Sequence, residues 1–401
     1  MISNEKKYVT YLSYTGMNES LGESQVIPYI NLISKFSKVH LISYEKNKLT
    51  NLEKKCISSK FKSDKIKWSP KNYHKSPRFL ATIYDILSMV YLLFLDRQKH
   101  KMHYVHCRSY VTCIAAFVYA FFFSKVRYIF DMRAFWPDEL VSAKSIKESS
   151  MLYFLLKKIE ALLISKSYST IVLTNAAREH LLSKSEFHHK KIYTIPTCVD
   201  HFKFDINNLK KKIPNNKNIV IGTIGTLNSG WFMMKEFATF LSLFKETNSS
   251  TTFRIVTKDD PKILLNQLNS FGIFKEDVEI YSTPSDKMPS EIAKFDIIVM
   301  FFIPNFSKLG SAPTRFGEAL ASGVPCVVNS GVGDLAEIVI DDNIGVVISD
   351  FSNTSIKNNC NKILDLLNDE SLYIRCIDSS KKYFSLDIAE NSYNKLYGIP
   401  G

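Results

Sequence analysis

The stretch from Leu309 to Ile348, LGSAPTRFGEALASGVPCVVNSGVGDLAEIVIDDNIGVVI, constrains the fold of this chain more than any other. Read physically, it is a loop, a helix, a buried strand, a glycine turn and a second helix. Pro313 suits a helix first turn, where its missing N–H costs nothing. Leu320 and Ala321 lie within a turn of Phe316 and Gly317 and give that helix an apolar face. Gly323 ends it, and Val324-Pro325-Cys326-Val327-Val328 reads as a short apolar strand with proline at its entrance. Asn329 to Gly333 supplies residues that tolerate positive φ and exposes backbone N–H groups ahead of the next helix. A helix N-terminus beside a glycine turn, at the carboxyl end of a parallel strand, is where α/β proteins hold phosphates.

The rest of the chain repeats that alternation. Tyr8–Ser13, Val39–Tyr44, Tyr104–Arg108, Arg127–Asp131, Thr170–Thr174 and Lys191–Pro196 read as strands in the first half. Residues 24–36, 79–95, 151–166 and 176–182 read as helices between them. Asn218–Ile224, Phe253–Thr257, Val278–Tyr281 and Ile297–Phe301 follow as strands in the second half. Strand–helix alternation predicts parallel, doubly wound sheets. A length of 401 residues with 45% hydrophobic composition is enough for two such cores. The polar, Pro-containing KKKIPNNKN at Lys210–Asn218 reads as the linker, giving domains over 1–209 and 210–381.

The charge is unevenly placed. Residues 1–200 hold 31 Lys+Arg against 16 Asp+Glu, and the remainder holds 21 against 23, within a total of +13. A basic half suits an anionic partner such as a membrane surface or an acidic glycan; a well-solvated lysine-rich surface accounts for it equally. A nucleic-acid binder would share this charge, but no nucleic-acid motif accompanies it. Seven scattered cysteines without paired spacing point to free thiols in a reducing compartment, and no Cys/His cluster has metal-ligand spacing. The opening MISNEKKYVTYLSY does not read as a signal peptide. Phe79–Leu95 and Tyr110–Phe123 are apolar but fall short of a membrane span, so burial against the sheet is expected. Lys71, Lys75 and Arg78 before the first, and Arg97, Lys99 and Lys101 after it, keep peripheral membrane contact as the alternative.

Glu318-Ala-Leu-Ala-Ser-Gly-Val-Pro resembles the donor motif of retaining, nucleotide-sugar-dependent glycosyltransferases of the GT-B fold, specifically the large family 4. That motif has two glutamates, the second heading a Glu-Ala-small-Ala-x-Gly-x-Pro run. The resemblance gives Glu318 the donor ribose hydroxyls, while the first glutamate's position, which meets the sugar end, is Gly310. Three further segments resemble the bacterial surface-polysaccharide branch of that family: SYTGMNESLGESQVIPYI, FDMRAFWPDEL and the domain exit Pro196–Asp200. They imply two Rossmann-like domains facing a central cleft, with the tail from about 382 to 401 packing back on the first.

The site residues follow from the motifs together with that resemblance. Gly16, Gly22 and Gln25 belong to an acceptor-side loop, the glycines leaving it flexible; a plain connecting loop is the alternative. His106, Asp131 and Arg133 sit at strand ends and are the catalytic candidates. A structural histidine and a buried Asp131–Arg133 ion pair are the competing readings. Gly225 and Thr226 open the turn after the first strand of the second domain, where backbone N–H groups would face a diphosphate. In the family that turn carries an arginine and a lysine; Thr226 stands at the arginine's place and no lysine precedes Trp231. Arg315, three residues before Glu318 and on the same helix face, is therefore the expected phosphate cation, beside Gly310, Ser311 and Thr314. An ordinary Arg315–Glu318 surface pair is the alternative.

The resemblance thus implies a metal-independent enzyme without cofactor that moves a sugar from a nucleotide donor, expected to be a UDP-sugar. The acceptor would be a glycan or lipid-linked oligosaccharide of surface polysaccharide such as capsule or lipopolysaccharide. It would work in the cytoplasm, at the inner face of the membrane. The competing classes are a nucleotide-sugar epimerase or hydrolase on the same fold, and a catalytically degenerate nucleotide-sugar binder, which Gly310 would fit.

Overall fold

The computed structural model describes residues 7–99, 104–123, 126–204 and 218–398. The chain divides into two compact units, Met1–Pro196 with Leu386–Gly401, and Thr197–Ser385. The division thus falls after Pro196, upstream of residue 210. Thr197 Oγ1 donates to the Ala312 carbonyl at 2.9 Å, and Val199 bridges to Ser385, so this segment is already tied into the second unit. Lys210 to Lys217 of the expected linker lie outside the described residues. At the other end, residues 382–385 stay with the second unit, and the helix Leu386–Tyr397 joins the first.

The first unit is built on β1 (Lys7–Ser13), β2 (Ser37–Glu45), β3 (Ile66–Asn72), β4 (Tyr104–Arg108), β5 (Arg127–Asp131), β6 (Ser169–Val172) and β7 (Ile192–Thr194). They form one parallel sheet in the order β3-β2-β1-β4-β5-β6-β7. The order reverses between β1 and β4, which makes that gap the topological switch point. β1, β2 and β4 are almost wholly buried, as central parallel strands covered on both faces should be. β3, which is not among the strands expected from sequence, is a half-exposed edge strand, and there Pro70 is tolerated.

Two sequence expectations change here. The helix expected over 24–36 is two helices, Ser20–Gln25 and Ile27–Phe36, because Pro28 sits in the first turn of the second and starts it afresh. Gly22 consequently lies in a buried helix turn and not in a flexible loop. A Cβ on it would come within 2.1 Å of the Gly16 carbonyl, so glycine serves close packing. The helix at 79–95 runs over Arg78–Lys99 and is largely exposed. By length and composition Phe79–Gln98 is long and apolar enough to cross a membrane, because the helix continues beyond Leu95. Of the cations flanking it, Lys101 and the side chains of Arg78 and Lys99 lie outside the described residues.

The second unit carries β8 (Val220–Ile224), β9 (Thr252–Val256), β10 (Val278–Tyr281), β11 (Ile297–Met300), β12 (Cys326–Asn329) and β13 (Gly345–Ile348). Their parallel order is β10-β9-β8-β11-β12-β13, with the switch point between β8 and β11. A single apolar core fills this unit. The helix Thr314–Ala321 follows β11, with Pro313 just ahead of its first turn. Gly317 has no room for a Cβ, which would meet Val199 at 2.9 Å and Phe384 at 3.1 Å, so the helix Leu372–Phe384 packs close against it.

Candidate functional site

Each unit gathers its polar residues at its own switch point. In the second unit the loops leaving β8 and β11 are zipped together. Ile303 N–H donates to the Trp231 carbonyl (2.9 Å), and Met233 N–H to that of Phe301 (3.1 Å). These bonds bring the Gly225 turn and the helix Thr314–Ala321 to the same edge of one sheet. Gly225 takes φ +138°, a region that glycine enters freely, and Gly225 and Thr226 are exposed.

The turn is not the open ring of amides expected from sequence. Gly225 N–H donates to the Val256 carbonyl at 3.0 Å. Leu227 and Asn228 N–H both donate to Asp259 Oδ2, at 2.6 and 3.1 Å. A carboxylate from the exit of β9 therefore already occupies these two donors. The cation that the turn lacks in sequence arrives from elsewhere. Lys308 is nearly buried, and its Nζ lies 4.0 Å from the centre of the Trp231 ring. Its own carbonyl accepts from Gly333 N–H at 2.8 Å, tying in the turn after β12.

Glu318 is buried and bonded to Arg315, which is about one-third exposed. Burial raises the Glu318 carboxyl above its ordinary value; Arg315 and Lys203 only partly offset this. The pair is thus a charge held out of water by one guanidinium that still faces solvent, not an ordinary surface pair. Gly310 is buried at the end of a short 3-10 turn, and Ser311, Thr314 and Arg315 are partly exposed in sequence after it.

In the first unit, register dictates the cluster. Tyr11 pairs with His106 and Arg108 with Asp131, and His106 lies two residues before Arg108, so all four side chains share one face of the sheet. The Tyr11 and His106 rings stack at 4.3 Å with 13° between planes. Asp131 is ringed by His106 Nε2 (3.5 Å), Arg108 (3.7 Å) and Arg133 (3.5 Å), yet neither of its oxygens accepts a hydrogen bond. Burial would raise its carboxyl, but Arg133, His106 and Arg108 outweigh it and bring it down to about 2. The same burial lowers the His106 imidazole, with Asp131 opposing it.

Gln25 completes the cluster. Its side-chain oxygen accepts from Arg133 at 2.6 Å, and its carbonyl from Arg108 at 3.3 Å. Arg133 holds φ +59° and Ser109 φ +73°, left-handed backbone that costs a non-glycine residue roughly 1–3 kcal/mol. The helix Leu386–Tyr397 covers the cluster, with the Tyr397 hydroxyl 2.8 Å from His106 Nδ1 and Tyr393 close by. His106 and Asp131 expose no surface; Arg133 alone of the three expected catalytic residues is partly exposed. Asp131 and Arg133 lie within ion-pair distance in this cluster, at 3.5 Å. Gly16 stands apart: its N–H donates to Glu19 Oε1 at 2.9 Å, in a loop clasped by Glu45, which accepts from Met17 N–H.

Sequence reasoning missed Lys308, Asp259, Tyr393 and Tyr397. Asp259, Tyr393 and Tyr397 reach their clusters from distant segments, and Lys308 meets the turn only through its contact with Trp231. Among the described residues no group of three His, Cys, Asp or Glu could hold a metal ion. All seven cysteines are free thiols, with only Cys56 exposed.

Comparison with solved structures then fixes the architecture. Sucrose-phosphate synthase from Thermosynechococcus elongatus superposes with a TM-score of 0.69 at 11% identity, covering 98% of both chains. Anabaena HepE in complex with UDP and glucose gives 0.68 at 13%, covering 97% of this chain and 99% of that one. The chain has the GT-B fold. WaaG, a glycosyltransferase involved in lipopolysaccharide biosynthesis, gives 0.60 at 14%, covering 96% and 98%. The chain matches no protein-family profile and no curated protein.

Proposed function

We propose that this GT-B chain is a retaining glycosyltransferase that takes its sugar from a nucleotide-sugar, with the donor held at the second unit's switch point. The observation that carries the reading is Glu318: a buried carboxylate with a raised pKa, one turn into the helix leaving β11, beside an exposed glycine turn. A carboxylate kept at that cost at a sheet edge suits the two hydroxyls of a ribose. Arg315 and Lys308 would neutralise the departing diphosphate, together with the N-terminus of the eight-residue helix. Gly225, Thr226, Ser311 and Thr314 would line the phosphates, and Gly310 would leave room at the sugar. No metal or cofactor is required by this arrangement. The likeness to HepE, solved in complex with UDP, with UDP and glucose, and with UDP-glucose, supports a UDP-sugar as donor.

In the first unit, Arg133 is the residue placed to meet a reacting group or acceptor. Asp131, His106 and Gln25 would act as positioning residues that fix its strained backbone and charge. The acceptor side would include the Gly16–Gly22 segment. A glycan or lipid-linked acceptor of surface polysaccharide, used on the cytoplasmic side, fits the basic first half and the likeness to WaaG, a glycosyltransferase involved in lipopolysaccharide biosynthesis.

The test is calorimetric titration and thermal shift with UDP, UDP-sugars, GDP and CMP. UDP should bind and raise the melting temperature of the natural chain, and Glu318→Ala should lose both effects. Absence of any nucleotide effect on the natural chain would overturn the reading. Sugar release or epimerisation with no acceptor present would turn it towards the hydrolase or epimerase class, and UDP-sugar binding without turnover towards a degenerate binder.

A further inference from the structure

The helix Arg78–Lys99 is amphipathic in the reverse sense: its carboxylates face the protein and its large apolar side chains face out. Its only carboxylates, Asp85 and Asp96, are buried. Asp85 accepts from the Tyr14 hydroxyl at 2.7 Å and pairs with His74 at 2.6 Å. Asp96 accepts from Thr10 at 2.6 Å and Tyr8 at 3.2 Å, and pairs with His40 at 2.8 Å. Two such anchors, eleven residues apart on one face, leave the helix no freedom to roll. Its outward face is then Phe79, Leu80, Tyr84, Leu87, Tyr91 and Phe94, of which Phe79 is 76% and Tyr91 61% exposed. At 100° per residue these fall within one arc of about 140°.

The patch continues onto the neighbouring helix Tyr110–Phe122, which packs alongside and ends in Phe121 and Phe122, 80% and 69% exposed. Large apolar areas like this on a soluble unit mark an interaction surface. Charge selects the occupant. The helix shows no carboxylate outward, Lys75 is exposed before it, and Arg97 near its end lies over the Phe123 ring at 4.7 Å. This edge belongs to a half of the chain with a surplus of 15 positive charges.

We propose that this face docks on an anionic lipid bilayer, with the helix lying in the interfacial plane. Aromatic and aliphatic side chains would enter the acyl boundary, and the lysine and arginine would meet lipid phosphates. The buried aspartates exclude a spanning arrangement, because one face of the helix is bonded to the strands beneath it. Tyr84 and Tyr91, with apolar rings and polar tips, suit that depth. The proposal is independent of the donor reading.

The test is sedimentation of the full chain with vesicles of phosphatidylcholine alone or with 30% phosphatidylglycerol (roughly a cytoplasmic-leaflet charge), beside its sedimentation velocity without lipid. The natural chain should pellet with the anionic vesicles, at least tenfold less with the neutral ones, and lose most binding at high salt. Leu87→Glu, and separately Phe121→Ser with Phe122→Ser, should reduce the pelleted fraction at least fivefold with unchanged melting temperature. The substituted side chains are exposed, so both variants fold. A natural chain that stays in the supernatant overturns the proposal. So does lipid-free dimerisation abolished by Leu87→Glu, which would give the face to a second copy, and so does full vesicle binding by both folded variants.

Discussion

The two switch points solve opposite problems with the same topology. In the first unit, the ends of β4 and β5 place a carboxylate, two guanidiniums and an imidazole together and seal them beneath tyrosines from the last helix. In the second, a single carboxylate–guanidinium pair is left at an edge where the guanidinium still meets water. The sealed cluster lowers its carboxyl to about 2, because three cationic or polarisable neighbours outweigh burial. The open one raises its carboxyl, because one partner does not. The first unit's carboxylate is neutralised within the fold, whereas the second unit's keeps one cationic partner and spare acceptor capacity.

Breaking the sealed cluster should have the largest effect. Asp131→Ala leaves Arg108 and Arg133 buried without their anion and should cost about 3–5 kcal/mol, read by chemical denaturation. The open pair should respond in function instead. Glu318→Gln should weaken UDP binding about tenfold to a hundredfold, the worth of charge-assisted bonds of roughly 1.5–3 kcal/mol. It should not lower the melting temperature, since a costly buried charge is removed; a fall of several degrees would erase the contrast.

Acid separates the two again. Asp131 sits at about 2 in the fold, against about 3.9 in an unfolded chain. Its stabilisation is therefore present above pH ~4 and is lost as the pH falls from there through 2. Asp131→Asn should flatten that acid limb in melting curves taken between pH 2 and 5, whereas Glu318→Gln should leave it in place. The smallest effect is expected at the glycine turn. Asp259→Ala removes the acceptor of two amides and should cost about 1 kcal/mol by denaturation. It should also free those N–H groups, so UDP affinity should hold or rise slightly in the same titration.

Sequence made the open site the more legible of the two. Arg315, Glu318, Gly323 and Pro325 lie within a dozen residues, and their helical spacing alone puts cation and carboxylate on one face. The strand–helix alternation was equally local. The sealed cluster was readable only in pieces: Tyr104–Arg108 and FDMR announce polar strand ends, but registration across β1, β4 and β5, and the lid of Tyr393 and Tyr397, depend on non-local contacts, the lid's reaching across 291 residues. Gly22 misled because a glycine required by a close carbonyl contact looks, in sequence, like one required by a bend. The helix at 78–99 misled for a related reason. Periodicity reveals an apolar arc without saying which way it faces, and here two paired aspartates decide it.

The helix Leu386–Tyr397 also sets a clock. The first unit's central cluster is closed by Tyr397, and Thr197–Ser385 lies between that residue and the rest of the unit. On a ribosome adding roughly 5–20 residues per second, Asp131 would wait roughly thirteen to fifty seconds for its cover. During that interval a nascent first unit shows water an unfinished, strongly charged seam, while the inserted second unit, whose entry at Val199 and exit at Ser385 lie side by side, can complete itself. The part of the chain made first is thus the last to mature.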